Sequence, residues 1–263
     1  MRRTLLQILL PALTAAVVIA IWMAINLGLS ADTRFLLPGP GAVIDAFGDQ
    51  RTELSRAAWN TSQGALIGFG LAIVVSVLAS LLLSLSPLVR SSLYPLLMAL
   101  QMTPLPILAP ICVLWVGAGL KSVALLTFVI AFFPLVVNTT QGLISTDRNL
   151  VEFFDLCRAS RWQQLFHLRV PAALPYFFTG LRIAATLSPI GAVVADMNAG
   201  TSANDGGGLG FQAVIYASQA KYAALFATAI TTCVLGFLLN AVVLGLGWLA
   251  LHHWHDSYER SDR

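Results

Sequence analysis

The residues that could do chemistry are few and scattered. Asp196 is the acid inside the apolar stretch 174–197, where a carboxylate is costly to hold and is a functional candidate by default. Gln101, Thr103 and Asn138 join it as polar side chains in apolar runs that could line a path for a hydrophilic solute. Asp196 also has a structural explanation, because it falls near one end of its stretch, where water or a loop amide would satisfy it. His252-His253-Trp254-His255 has the composition of a metal tract, but beside a tryptophan at the end of an apolar run it reads as an interfacial anchor. Gly206-Gly207-Gly208-Leu209-Gly210 is rich enough in glycine to cradle phosphate, yet no strand precedes it, and a flexible external turn is expected. Cys112, Cys157 and Cys233 lie too far apart for a disulfide framework or a zinc site and read as small packing residues. There is no paired acid and base, no nucleophile beside a base, and no Gly-x-x-x-x-Gly-Lys-Ser/Thr phosphate loop. No catalytic residue, metal or cofactor is assigned, and any nucleotide-driven step would need a separate subunit.

The elements that must position these residues follow from composition. Of 263 residues, 57% are hydrophobic and 10% charged, too little polar surface to cover a water-soluble globule. Lipid is therefore the expected solvent. A helix crosses the hydrocarbon core in about 20 residues, and uncharged runs of that length or more recur along the chain. They predict an all-α membrane protein of about six spans, near 5–29, 60–86, 92–117, 122–144, 174–197 and 222–250, in a single domain covering 1–263. Pro104, Pro106 and Pro110 are expected to kink or break the third span. Gly64 and Gly68, four residues apart in the second, are expected to let helices approach closely. Pro38-Gly39-Pro40-Gly41 forces a turn before a short interfacial helix with apolar Val43, Ile44, Ala46 and Phe47.

Charge placement predicts orientation. With the N-terminus inside, ten of the fifteen Lys and Arg residues fall on the cytoplasmic side, leaving Arg34, Arg51, Arg56, Lys121 and Lys221 outside. Both termini are then cytoplasmic. The net charge of +3 is spread between spans rather than gathered on one face, which argues against nucleic-acid binding.

The loop 147–175 is too patterned to be a passive connection. Leu150, Phe153, Phe154 and Leu156 share one helical face, and Trp162, Leu165, Phe166 and Leu168 share another, with a corner at Ala159-Ser160 and a return at Pro171 and Pro175. A compact, partly basic hairpin between two spans is a suitable place for a soluble partner to push.

This loop resembles the coupling segment of the inner-membrane permeases of ATP-binding-cassette (ABC) importers, whose motif runs Glu-Ala-Ala, a Gly six residues after the Glu, then Ile-x-Leu-Pro. Glu152 matches the Glu, and Pro171 stands nineteen residues after it as the motif requires. The corner 159–163 and the segments Pro171-Ala172-Ala173-Leu174-Pro175 and Gly180-Leu181-Arg182-Ile183-Ala184 are similar to the branch importing sulfonates, taurine, nitrate, riboflavin or the pyrimidine precursor of thiamine. Phe153-Phe154 replace the alanine pair, Arg158 the Gly, and Leu168-Arg169-Val170 the Ile-x-Leu. A small residue at the Arg158 position normally seats the hairpin in a groove of the ATPase, so the departure implies a compensating groove or weak coupling.

The resemblance implies the type I importer permease fold and ATPase coupling through Glu152, Arg158, Ala159, Ser160, Arg161, Trp162 and Pro171. It also implies a cytoplasmic ATP-binding subunit dimer, a second permease copy forming a homodimer, and an external solute-binding protein. The chain would sit in a bacterial-type inner membrane and carry a small polar organic or anionic solute. A thiamine pyrimidine precursor, riboflavin, or a sulfonate- or nitrate-type solute is the expectation. The alternative is an ion-driven secondary transporter working without an ATPase. Such proteins use intramembrane ionisable residues for coupling, and this chain offers little besides Asp196.

Overall fold

The computed structural model describes residues 2–30, 32–199 and 207–251, with side chains over 9–30, 32–199 and 207–250. The described residues form helices and no strand. They are α1 (Arg2–Gly28), α2 (Pro40–Asp49), α3 (Arg51–Leu85), α4 (Pro87–Gln101), α5 (Leu105–Val116), α6 (Leu120–Ile144), α7 (Arg148–Leu156), α8 (Arg161–Gln164), α9 (Val170–Ala199), α10 (Leu209–Ser218) and α11 (Tyr222–Leu251). A 3-10 turn at Arg34–Leu36 precedes α2, and a π-helical segment, Leu165–Arg169, joins α8 to α9. Five helices are long and apolar enough to cross a membrane, or six if α4 and α5 count as one broken span.

The third span, expected near 92–117 with a kink or break at its prolines, is two helices meeting at 101°. The reason is local. Pro104 disfavours a helical Thr103, and Pro104 itself takes extended backbone as the N-cap of α5, with Pro106 in the first turn. α5 then packs Ala109 and Cys112 into a cluster with Val123, Leu126, Ala192 and Ala195, while α4 buries no residue.

α6 is the centre of the bundle, packed between α3 and α9. Small residues set the spacing. A side chain at Gly68 would collide with the carbonyl oxygen of Ala124, so the α3 and α6 backbones touch there. One end of the bundle holds α2, α10 and the start of α11 around Val43, Leu54, Leu209 and Tyr216. The opposite end holds the 147–169 hairpin. α1 stands at the edge with no residue of its apolar window buried, anchored through Asn26, whose amide donates to the Leu37 carbonyl at 2.6 Å, and Trp22, which stacks on Phe226. α11 likewise turns an apolar face outward, including Phe237, Leu238 and Val242.

Three expectations change. The second span is part of a 35-residue helix that starts at Arg51 rather than 60. The flexible external turn expected at Gly206–Gly210 is, at its described residues, buried: Gly207 and Gly208 lead into α10, which starts at Leu209 and has no strong periodic signal in sequence. Of the cysteines, only Cys112 packs inside; Cys157 and Cys233 are exposed.

Candidate functional site

The hairpin is built from three local devices. The Asp147 side chain caps α7 by accepting from the Asn149 amide at 2.9 Å. α7 then ends in a Schellman motif: Arg158 N–H donates to Asp155 O and Ala159 N–H to Phe154 O, both at 2.9 Å. That motif requires a left-handed residue, and Arg158 occupies it at φ 54°. The glycine of the importer motif thus has a backbone reason here. Arg158 keeps the left-handed turn at a cost of about 1 kcal/mol. After the corner, Ser160 caps α8 in a capping box, with Gln163 N–H donating to Ser160 Oγ and Ser160 N–H to Gln163 Oε1.

The two arms are tied and rooted. Buried Gln164 donates from Nε2 to Asp155 Oδ1 at 2.6 Å, joining α8 to α7. Leu165 is buried against Leu143 of α6 and Ala173 of α9. The expected single face divides in two: Leu165 and Leu168 point inward, whereas Trp162 and Phe166, four residues apart, stack outward with ring centres 6.1 Å apart. Leu150, Phe153 and Leu156 are also exposed, Leu156 at 84%. Five large apolar side chains therefore stand out on a hairpin held firmly to the spans, a patch of the kind that marks an interaction surface. Among the predicted coupling residues, Glu152 is exposed and pairs with Arg148 of its own helix at 2.9 Å, a contact worth little in water. Arg158, Ser160, Arg161 and Trp162 are exposed, and Ala159 and Pro171 half-buried.

The predicted pathway residues do not form one cluster. Gln101 ends α4 with its amide 3.3 Å from the Met98 sulfur, and Thr103 lies in the break that follows. Asn138 faces α9 at Gly180, where its amide donates back to Pro134 O at 2.7 Å. Asp196 lies sixteen residues beyond Gly180 on α9, roughly 24 Å at 1.5 Å per residue. It is 5% exposed and held by the chain itself. Thr61 Oγ1 donates to Asp196 Oδ2 at 2.5 Å and accepts from Leu209 N–H at 2.8 Å, and the Gly210 backbone also bonds the carboxylate. A side chain at Gly208 or Gly210 would overlap Asp196 or the α9 backbone. Gly207, at φ 73°, turns the chain into this seat, and its carbonyl accepts from Asn60. Thr61 carries no distinctive signal in sequence; the alternation of glycines around Leu209 was the available one. His252, His253 and His255 lie outside the described residues, and among the described residues no cluster of three or more metal-ligating side chains occurs.

These features define a polytopic helical membrane protein with a rooted, apolar-faced hairpin between two spans. Residues 68–247 match the family of binding-protein-dependent transport system inner membrane components, and the chain belongs to that family, the permeases of ABC importers. It is 38% identical over 215 residues to the formylaminopyrimidine transport permease protein ThiX of Halalkalibacterium halodurans, covering 80% of this chain and 82% of that protein. The riboflavin transport system permease protein RibX of Chloroflexus aurantiacus is 32% identical over 93% of this chain and 89% of its own length. The taurine transport system permease protein TauC of Escherichia coli is 27% identical over 96% and 92%.

Proposed function

We propose that this chain forms one half of the membrane pathway of an ABC importer, with a second copy completing it and a separate cytoplasmic ATPase dimer gripping the hairpin. Both termini and the hairpin face the cytoplasm, and an external binding protein delivers the solute to the end that carries α2 and α10. The observation that carries this reading is the pairing of an outward apolar face, Trp162, Phe166 and Leu156, with a rigid root through Gln164 and Leu165. A push on such a surface reaches α6 and α9 without being absorbed. ATP binding would draw two such hairpins together and favour an outward-facing pathway; hydrolysis would reset it. Glu152, Arg158, Ala159, Ser160, Arg161, Trp162 and Pro171 make up the coupling segment. Gln101 and Thr103, at an outward-facing break in the third span, are better placed for a pathway than Asp196, whose oxygens are engaged within the fold.

The solute class we favour is a small polar heterocycle of the thiamine-precursor type, supported by the 38% identity to a formylaminopyrimidine permease. Riboflavin and sulfonate- or nitrate-type anions follow. Reconstitution into proteoliposomes tests the proposal: uptake should require the binding protein, the ATPase and ATP together. Uptake that persists without the ATPase would replace it with an ion-driven mechanism.

A further inference from the structure

A cleft of about 590 Å³ opens between the hairpin and the ends of α3, α4 and α6. Three arginines line it, Arg90 of α4, Arg161 of α8 and Arg169 of the π-helical turn, against one carboxylate, Asp155. That carboxylate already accepts from Gln164. Among the described residues the one ion pair is Arg148 with Glu152, which is not part of the cleft. The cleft therefore gathers three guanidinium groups against a single carboxylate, with which none of them forms an ion pair, and two of them are on half-buried residues, Arg90 and Arg169. Like charges brought together and partly desolvated raise the free energy of the fold unless an anion joins them.

Two further features point to the same ligand. Pro87 begins the 15-residue α4 at the wall of the cleft, so the positive end of that helix faces the same region. Thr146, also in the wall, has a hydroxyl that is buried without a hydrogen-bond partner. Leu85, Ile144 and Val151 add an apolar flank, which suits a phosphate carried on a glycerol backbone.

We propose that this cleft binds a phosphate-bearing anion, held by the guanidinium groups of Arg90, Arg161 and Arg169. Arginine suits the task because its planar fork gives paired hydrogen bonds to phosphate oxygens. Arg161 also belongs to the coupling segment proposed above, so the test is run on the chain without an ATPase, where anion binding is read separately from coupling. Two sources share the chemistry, the headgroup of an anionic phospholipid and free inorganic phosphate.

The test uses the full chain, purified in detergent and stripped of lipid. Native mass spectrometry with phosphatidylglycerol and, separately, phosphatidylethanolamine reads the lipid arm; the shift of the thermal midpoint with inorganic phosphate reads the free-ion arm. A lipid occupant predicts retention of phosphatidylglycerol about tenfold over phosphatidylethanolamine, falling about tenfold in Arg90→Gln and in Arg169→Gln. A free-phosphate occupant predicts a phosphate-dependent rise in midpoint that both variants lose. Arg90→Lys keeps the charge without the fork and should fall between, which separates lost binding from lost folding. Neither probe binding the wild-type chain would overturn the proposal and favour a carboxylate borne by a partner protein as the occupant. Equal binding by wild type and both glutamine variants would overturn it as well.

Discussion

Gln164 donates its side-chain amide to Asp155 Oδ1 at 2.6 Å, and this bond ties the helix after the hairpin corner to the helix before it. A hydrogen bond to a charged acceptor contributes about 1.5–3 kcal/mol. Gln164→Leu keeps the volume and removes the bond, so the arms should separate more often. Hydrogen exchange over 148–165 should rise about tenfold, and uptake should fall while the protein remains inserted. Unchanged protection would mean that Leu165 alone holds the hairpin.

Arg158 sits at φ 54°, where glycine is at ease and arginine is not. Arg158→Gly should stabilise the hairpin by about 1 kcal/mol and preserve coupling, whereas Arg158→Val should destabilise it by more. Exchange rates of the Ala159 and Arg158 amides, both bonded in the Schellman motif, report the difference. Coupling lost in the glycine variant would assign the arginine side chain a contact with the ATPase.

Thr61 bridges Asp196 and the Leu209 amide, linking α3, α9 and α10 through one hydroxyl. Thr61→Val leaves the buried Leu209 amide without its partner and leaves Asp196 with only the Gly210 backbone bond, at a cost of about 1–3 kcal/mol, and Thr61→Ser should recover most of it. The thermal midpoint in detergent measures this. Asp196→Asn, read for uptake as well as stability, separates roles: a loss of uptake at unchanged midpoint would return the carboxylate to the pathway.

The exposed face of the hairpin makes crosslinking with a co-expressed ATPase a direct test. Cysteines at Leu156 and Ser160 should crosslink in a nucleotide-dependent way, in a background where exposed Cys157 and Cys233 are replaced by serine. Leu156 is the better position, since Ser160 caps α8 and its loss costs about 1 kcal/mol. Ala159→Asp should abolish uptake without preventing insertion. Trp162→Ala should weaken ATPase binding by about tenfold or more, as removal of a central aromatic anchor does.

Much of this was legible because lipid imposes strong rules. Long uncharged runs announce spans, and Glu152 with Pro171 announces the hairpin between them. What escaped were relationships that depend on backbone angles and on partners distant in sequence. Arg158 reads as a large residue in a small residue's place, but the constraint there is on φ, which residue size does not report. The prolines of the third span signal a break and not its 101° angle. Thr61 and Asp196 are 135 positions apart, and nothing in either neighbourhood announces the other. Trp162 and Leu165 are three residues apart and so about 60° apart around the helix, enough for one ring to point outward while the other side chain is buried.

α3 runs 35 residues from Arg51 to Leu85 with no proline, about 52 Å at 1.5 Å per residue, against a hydrocarbon core of about 30 Å. It is an unjointed mast longer than that core is thick, with α2 and α10 lodged beside the Leu54–Ala57 end. On a mast of that length, a tilt of about 5° at the foot swings the top by about 4–5 Å. The end that carries α2 and α10 is thereby geared to the rest of the bundle by stiffness alone.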